Sequence, residues 1–333
     1  MNFQRILTLS IIILLLIGAK FWFLQFITGP FVFPDENGYG NGLMLNSLSD
    51  LSIYSLIPNL LGYETALYFN CILSSLCSLP IFFLLRQRFS ERVALLGTIA
   101  LAFWSPLWLY SFVNMTEAML FFICLNALLL TNKFSYPIQV EGENLTVSRG
   151  SAILFLTDLF AFVTKSLGAV AILARFNQGF VLAIVLGFFW AAGQHYPIDN
   201  YALNFIHSFV RSIGYILVGS FGLIALPIQR YQDGIADALD KYALRFMLAL
   251  FLILLAPMVA IPAAYFYGRY LDVGLLFILP IALIKAPTKS ELRMCALILI
   301  IGLVCLYGVP SDLVLDSSLQ FLPQTLINIL SLQ

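Results

Sequence analysis

The carboxylates Asp35 and Glu36 are the residues of this sequence best suited to acid–base chemistry, because they stand in the first polar stretch after a long apolar run. Pro34 precedes them and Asn37-Gly38 follows them. Proline fixes its own φ and Asn-Gly accepts turn geometry, so we expect both carboxylates on a short, defined loop. A carboxylate held in this way can take the proton of an attacking hydroxyl group. The alternative is that the pair only solvates the loop or caps the following helix.

The composition indicates an integral membrane protein. Of the 333 residues, 61% are hydrophobic and 10% are charged, against roughly 25% charged residues in a soluble domain. The 17 Lys and Arg balance the 17 Asp and Glu, so we expect no nucleic-acid partner. The five cysteines lie in apolar runs without a CxxC pattern or a neighbouring histidine, which predicts neither disulfides nor a metal site.

The acidic loop must be positioned by the apolar segments on either side of it. Residues 6–27 form an apolar run long enough to span a membrane, and we interpret it as a retained first helix with a cytoplasmic amino end. Residues 28–64 form the first outer loop, whose second half is predicted to lie along the interface as amphipathic helix. The second span, 65–85, leads to three arginines in Arg86–Arg92, which mark a cytoplasmic loop and so place Asp35 outside.

The remaining chain predicts an all-α, polytopic transmembrane protein of about eleven segments. Later Lys/Arg clusters stay cytoplasmic only if residues 151–174 form two half-spans, broken near Ser166-Leu167-Gly168. We expect one transmembrane domain, 1–333, with an outer tail at 310–333 and no separate soluble domain. The other spans are predicted at residues 93–113, 119–130, 180–193, 212–228, 246–266, 271–284 and 295–307.

Individual charges in or beside the spans are candidate functional residues. Glu117 is expected at the start of a short helix on the same side as Asp35, where a carboxylate favours the helix dipole. Lys165 lies in an apolar stretch, where a lysine is costly and usually functional. It either holds a phosphate or pairs with Asp158, seven residues earlier on one helix face, and we favour the ion pair. His195, Asp199 and His207 in the predicted outer loop 194–211 have no metal-site spacing and are interpreted as ordinary interface residues.

Four stretches, in this order, resemble the GT-C superfamily of polytopic glycosyltransferases, in the branch of protein O-mannosyltransferases and aminoarabinose transferases. They span residues 34–280. The family's L-T-K-G-x-G has Ser166 here in place of a glycine, and the first proline of its R-Y-L-x-P-x-x-P is replaced, with Asp272-Val273 in that region. The stretches are Pro34-Asp35-Glu36, Ser105-Pro106 to Thr116-Glu117, Phe162-Val-Thr-Lys-Ser-Leu-Gly168 and Gly268-Arg-Tyr-Leu-Asp-Val-Gly-Leu-Leu-Phe-Ile-Leu-Pro280.

The resemblance implies an inverting transfer of a sugar from a polyprenyl-monophosphate donor to an acceptor at the extracytoplasmic face. It implies that Asp35 is the base, with Glu36 as orienting partner or substitute, and that Glu117 steers the acceptor or is a second carboxylate. The donor phosphate is expected at basic and hydroxyl groups of the later stretches, and other substrate contacts in the acidic loop. The substrate-binding candidates are Arg269, Tyr270, Lys165, Tyr39 and Asn37.

Alternatives remain at two of these positions. In the predicted outer turn Tyr267–Asp272, Arg269 could extend to the membrane interface and Tyr270 could belong to the aromatic belt. This alternative is as typical of the sequence as a phosphate-binding role. Glu117 is equally typical of a simple helix-start residue.

The expected partners are the lipid-linked donor, an acceptor of unknown class and membrane lipids. No cofactor is expected, and no divalent metal, because the first outer loop has no Asp-x-Asp. We expect a multi-pass protein of the cell membrane, which in a prokaryote is the cytoplasmic membrane. Its active site is expected on the extracytoplasmic side. A transporter or lipid flippase, with Asp35, Asp158 and Lys165 on its path, is the alternative, and it predicts inverted repeats that we do not see. A third alternative is a non-catalytic subunit of a glycosylation complex.

Overall fold

The chain is helical, with one short pair of antiparallel strands among the residues that the structure describes. The structure is a computed structural model. Its contacts divide the chain into two compact units, with boundaries inside the helices Glu117–Thr131 and Arg149–Thr164 and between Gly168 and Ala169. The structure describes residues 3–26, 52–112, 116–131, 139–141, 144–146, 149–176, 179–192, 200–260, 267–282 and 287–307.

Unit 1 comprises the described residues up to Leu129 and residues 160–168. Its apolar core includes a cluster of Leu24, Leu67, Cys71 and Phe112, which aromatic rings of the neighbouring helices cover. Its helices are α1 (Phe3–Leu24), α2 (Leu56–Leu61), α3 (Tyr63–Leu76), α4 (Ser78–Arg86), α5 (Glu91–Ala102), α6 (Ser105–Leu109) and α7 (Glu117–Thr131, of which Leu130 and Thr131 belong to unit 2).

The first two predicted spans correspond to helices in unit 1. Helix α1 covers most of the predicted 6–27, and α3 and α4 run together as one apolar stretch, Tyr63–Arg86. The two are joined by Cys77, which keeps right-handed helical dihedral angles. The predicted continuous span 93–113 is wrong, because α5 ends at Ala102 and a new helix begins at Ser105. Pro106 stands in the first turn of α6, where the backbone N–H that proline lacks has no intrahelical partner. In the interior of one continuous helix, proline would remove a hydrogen bond.

Unit 2 comprises residues 130–159 and 169–319, as far as the structure describes them. Its strands pair antiparallel, with Val140 opposite Leu145. Its elements are β1 (Gln139–Glu141), β2 (Asn144–Thr146), α8 (Arg149–Thr164, whose last five residues belong to unit 1), α9 (Ala169–Leu173), α10 (Gly179–Ala192), α11 (Tyr201–Gly219), α12 (Ala225–Gln232), α13 (Ala238–Leu255), α14 (Pro257–Ala260), α15 (Tyr267–Ala282) and α16 (Lys289–Tyr307).

Helix α11 begins eleven residues before the predicted span 212–228, so its first part occupies a predicted outer loop. Asn200 caps it by accepting a hydrogen bond from the Leu203 amide at 3.0 Å. The span also ends early, at Gly219, because Phe221 and Gly222 have positive φ values of 52° and 71° and turn the chain. The hydropathy pattern did not indicate where α11 begins, because polar side chains recur along one buried face of this helix and lower its hydropathy. These side chains are Asn204, Ser208 and Ser212.

The predicted outer turn Tyr267–Asp272 is also wrong, because these residues form the first turns of α15. Helix α13 begins with a capping box in which Asp237 accepts from the Asp240 amide and Asp240 accepts from the Asp237 amide. Helix α16 begins at Lys289, six residues before the predicted start of the last span.

A close helix crossing holds α11 against α16 within unit 2. A Cβ on Gly214 would stand 2.7 Å from the Leu306 amide nitrogen, and a Cβ on Gly302 would stand 2.6 Å from Leu217 Cβ. Small residues at such positions let two helix backbones approach, as in membrane helix pairs.

Four described helices are long and apolar enough to cross a membrane, which supports a polytopic membrane protein. They are Ile6–Leu24, Tyr63–Arg86, Tyr201–Gly219 and Lys289–Tyr307, and shorter apolar helices stand beside them in the sequence. The predicted total of about eleven segments stays a prediction, as does the assignment of residues 1–333 to one domain.

Candidate functional site

The two site candidates Glu117 and Lys165 meet in unit 1 as a buried ion pair. Lys165 Nζ lies 2.6 Å from Glu117 Oε1, although 48 residues separate them in sequence. The Glu117 side chain is 1% exposed and that of Lys165 is 12% exposed. Thr116 Oγ1 donates to the other carboxylate oxygen of Glu117 at 3.4 Å. A carboxylate and an ammonium group are thus held together in apolar surroundings.

Glu117 is the first residue of α7, as predicted for a residue at the start of a short helix. The partial positive charge at a helix amino end stabilises a carboxylate there. The prediction that Glu117 and Asp35 lie on the same side of the membrane stays a prediction, because Asp35 lies outside the described residues.

Lys165 stands at the predicted interruption, which the structure confirms. Helix α8 ends at Thr164, a short 3-10 turn covers Ser166–Gly168, and α9 begins at Ala169. The Gly168 amide donates to the Lys165 carbonyl at 2.7 Å and closes the turn. A Cβ on Gly168 would stand 2.0 Å from the Ala161 carbonyl oxygen, so this turn requires glycine.

The end of α8 is also tied to the start of the described segment at residue 52. Ser52 Oγ donates a short hydrogen bond to the Thr164 carbonyl oxygen, which the end of the helix leaves without an intrahelical partner. Ser52 and Thr164 are both buried. The backbone that carries Lys165 is therefore anchored from both sides, by Ser52 and by the glycine turn.

The favoured pairing of Lys165 with Asp158 is wrong. Asp158 instead binds Arg175 in unit 2, through Nε–Oδ2 at 2.8 Å and Nη2–Oδ1 at 3.0 Å. A spacing of seven residues places two side chains on one face only while the helix continues, and α8 ends one residue before Lys165.

Arg175 is a buried residue that the sequence analysis missed. Its fork binds Asp158, its Nη1 donates to Thr131 Oγ1, and its guanidinium carbon lies 3.8 Å from the ring centroid of Tyr242. The side chains of Arg175 and Asp158 are 3% and 0% exposed. A fork with two parallel hydrogen bonds and an aromatic face beneath it is the geometry that arginine supplies and lysine does not. The signal in the sequence was a charge directly after the apolar segment 151–174, 17 residues after Asp158.

Lys20 is a second missed residue, and it lies in unit 1 at the centre of a small polar cluster. Its Nζ donates to Ser74 Oγ at 2.7 Å and to the Leu107 carbonyl at 3.4 Å, and lies 5.4 Å from the ring centroid of Trp108. Ser74 in turn shares a hydrogen bond of 2.7 Å with Ser111. Lys20 is 1% exposed, and none of the described carboxylates forms an ion pair with it. The signal was a lysine inside the first predicted span.

The residues of the fourth motif stretch lie on α15 in unit 2. Tyr270 is 6% exposed and Asp272 is 3% exposed. Asp272 Oδ1 accepts a hydrogen bond of 2.7 Å from Tyr215 of α11. The side chain of Arg269 lies outside the described part of the structure.

The acidic loop lies outside the described residues as a whole, so the predicted roles of Asp35, Glu36, Asn37 and Tyr39 stay predictions. His195 and Asp199 also lie outside them. His207 lies in α11 and not in an outer loop, which corrects that placement. Within the described ranges, no three His, Cys, Asp or Glu side chains come together as a metal site would require.

No protein-family model, no curated protein and no solved structure matches the chain.

Proposed function

We propose that this protein is a membrane glycosyltransferase that moves a sugar from a polyprenyl-monophosphate donor to an acceptor at the extracytoplasmic face. The proposal rests on the ordered motif stretches and on one contact. Glu117 ends the second stretch and Lys165 lies in the third, and the two form a buried ion pair within one unit. A buried charge pair in apolar surroundings is costly, and its formation by residues of two motif stretches supports a functional role.

The proposed chemistry begins with the acceptor hydroxyl. Its oxygen attacks the anomeric carbon from the face opposite the phosphate, while Asp35 takes the hydroxyl proton. The bond between the anomeric carbon and the phosphate oxygen breaks, and its electron pair leaves with the polyprenyl monophosphate. The configuration at the anomeric carbon is inverted. In this scheme Glu36 orients Asp35, and Asn37 and Tyr39 contact the sugar.

Lys165 is proposed to stabilise the charge that grows on the leaving phosphate. An ammonium group carries three N–H donors and a positive charge, which suit it to stabilise negative charge on a phosphate oxygen. Glu117 is a positioning residue in this scheme, because its carboxylate holds the ammonium group in place before the donor arrives.

The test is incubation of the purified protein with radiolabelled polyprenyl-phosphate sugars and membrane acceptors. We expect labelled product of inverted configuration and an equal amount of released polyprenyl monophosphate. Lys165→Met is expected to weaken donor binding at least tenfold and to lower transfer. Asp158→Asn is the control, since it breaks an even more deeply buried ion pair in the other unit. If the control lowers transfer as much as Lys165→Met, a specific role of Lys165 is contradicted.

A transporter is the second candidate, favoured by the charged and polar contacts buried in unit 2. Asp158 with Arg175, and Tyr215 with Asp272, place polar groups inside apolar helices. Membrane transporters use such groups along their substrate paths. Reconstitution in vesicles separates the two functions, because a transporter moves its substrate across the bilayer without forming a new glycosidic bond, whereas the transferase forms labelled product.

A further inference from the structure

An apolar groove lies within unit 2, between the second half of α11, helix α12 and the part of α13 from Lys241 to Phe251. Its volume is about 640 Å³, within the roughly 300–1,000 Å³ of small-molecule sites. Its wall is mostly aliphatic and includes Ile213, Ile216, Ile228, Met247 and Phe251. The groove lies far in sequence from the proposed transferase site, and none of its lining residues belongs to a motif stretch.

One end of the groove is polar and positively charged. Tyr231 and Gln232 line it from the end of α12, and Lys241 and Arg245 line it from the first turns of α13. Lys241 and Arg245 are four residues apart and therefore share one face of the helix. Neither of their side chains forms a hydrogen bond or ion pair with any residue that the structure describes.

The neighbouring Arg230, in contrast to Lys241 and Arg245, has a structural role. Its fork binds Asp240 at 2.6 Å and 3.0 Å, and it also donates to the Ile281 and Ala282 carbonyls at the end of α15. These bonds neutralise Arg230 and cap a helix. Lys241 and Arg245 have no such described role, which leaves two positive charges for a ligand.

The length of the groove fits one leaflet of a membrane. Lys241 and Phe251 are ten residues apart on α13, which corresponds to about 15 Å at the helical rise of 1.5 Å per residue. Half of the roughly 30 Å hydrocarbon core of a bilayer is about 15 Å. A ligand with a charged head at Lys241 and an aliphatic chain along the wall would therefore follow one leaflet.

We propose that this groove binds an anionic glycerophospholipid. The lipid phosphate lies between Lys241 and Arg245, and an acyl chain runs along the aliphatic wall toward Phe251. A ligand with both a phosphate and an acyl chain contacts the positive charges and the apolar wall together. A free phosphate would contact only the charges. The Lys/Arg distribution of the sequence predicts the cytoplasmic leaflet for this site, where anionic lipids attract basic groups. The proposal is independent of the transferase function.

The test is equilibrium binding of radiolabelled dioleoylphosphatidylglycerol to the full chain in mixed micelles, beside dioleoylphosphatidylcholine and glycerol phosphate. We expect phosphatidylglycerol to bind at least tenfold more tightly than phosphatidylcholine, and glycerol phosphate to compete poorly because it has no chain. Lys241→Gln or Arg245→Gln is expected to weaken phosphatidylglycerol binding about fivefold each, and the double variant about 25-fold. High salt is expected to reduce the preference for the anionic lipid.

Two further variants separate a specific site from general attraction to charge. Lys289→Gln with Arg293→Gln removes two exposed cations of α16 that do not line the groove, and we expect no change in lipid binding. Leu248→Trp fills the groove from an exposed position and is expected to weaken both lipids. Equal binding of the two lipids, or wild-type binding by the Lys241/Arg245 double variant, would overturn the proposal. Loss of binding in the α16 variant equal to that of the groove variant would overturn it as well.

Discussion

Glu117 and Lys165 form an ion pair of 2.6 Å between the first residue of α7 and the residue that follows α8. Each is placed by a helix end, and the helix ends themselves are held by other contacts. The pair therefore depends on the interruption at Ser166–Gly168, which lets Lys165 leave the face of α8 that carries Asp158.

Substitutions of Glu117 and Lys165 are expected to have non-additive effects on the free energy of unfolding. Glu117→Gln or Lys165→Met should each lower the free energy of unfolding by about 3–5 kcal/mol, because either change leaves a buried charge without its partner. The double variant should lose less than the sum of the two. Thermal unfolding in detergent measures all three, with Lys289→Gln as an exposed control. Additive losses would show that the two side chains do not interact.

Gly168→Ala is expected to destabilise the turn that carries Lys165. The new Cβ would stand 2.0 Å from the Ala161 carbonyl oxygen, so the backbone must shift. Gly18→Ala in α1 is the matched control, because no described atom beyond its own helix turns lies within 4 Å of the new Cβ and alanine is favoured in a helix by about 0.5–1 kcal/mol. The melting temperature should fall for Gly168→Ala and rise slightly for Gly18→Ala. Equal melting temperatures for the two variants would contradict the turn geometry.

Arg175→Lys tests whether the shape of the arginine matters as well as its charge. Lysine keeps the charge but cannot make the two bonds to Asp158 or cover the Tyr242 ring as a plane. We expect a loss of about 2 kcal/mol or more in the free energy of unfolding, since buried charged hydrogen bonds contribute about 1.5–3 kcal/mol each. A denaturation curve of Arg175→Lys that matches the wild type would exclude the bidentate arrangement.

Lys20→Met is expected to raise stability or leave it unchanged. Lys20 is buried against neutral oxygen atoms of Ser74 and Leu107, so its charge is costly. Methionine has a similar length without the charge, and Ser74 keeps its hydrogen bond with Ser111. Ser74→Ala should lower the melting temperature, because it leaves the ammonium with a poorer set of acceptors. A large loss of stability in Lys20→Met would show that the charge itself holds unit 1 together.

The apolar helices and one interruption could be predicted from the sequence, because both leave a local signal. The first spans correspond to α1 and to the combined α3 and α4. The break near Ser166–Gly168 was required by the charges of later loops and is present. The start of α11 was missed because its polar buried face lowers the hydropathy that marks a span.

The pairing of charges could not be predicted from the sequence in the same way. Glu117 and Lys165 were both selected as candidates, but no sequence spacing connects residues 48 positions apart. Arg175 has no motif around it, and only the fold brings it to Asp158 and Tyr242. Local periodicity reports which face of a helix is apolar, whereas the choice of partner depends on how helices pack.

The central claim is sugar transfer by a site that uses Asp35 as base, and one comparison tests it most directly. Wild type and Asp35→Asn are incubated with radiolabelled polyprenyl-phosphate sugar and membrane acceptors, at equal amounts of inserted protein. We predict labelled product from the wild type and at least a hundredfold less from Asp35→Asn, with donor binding preserved. Equal transfer by the variant, or no transfer by the wild type from any donor of this class, would contradict the account.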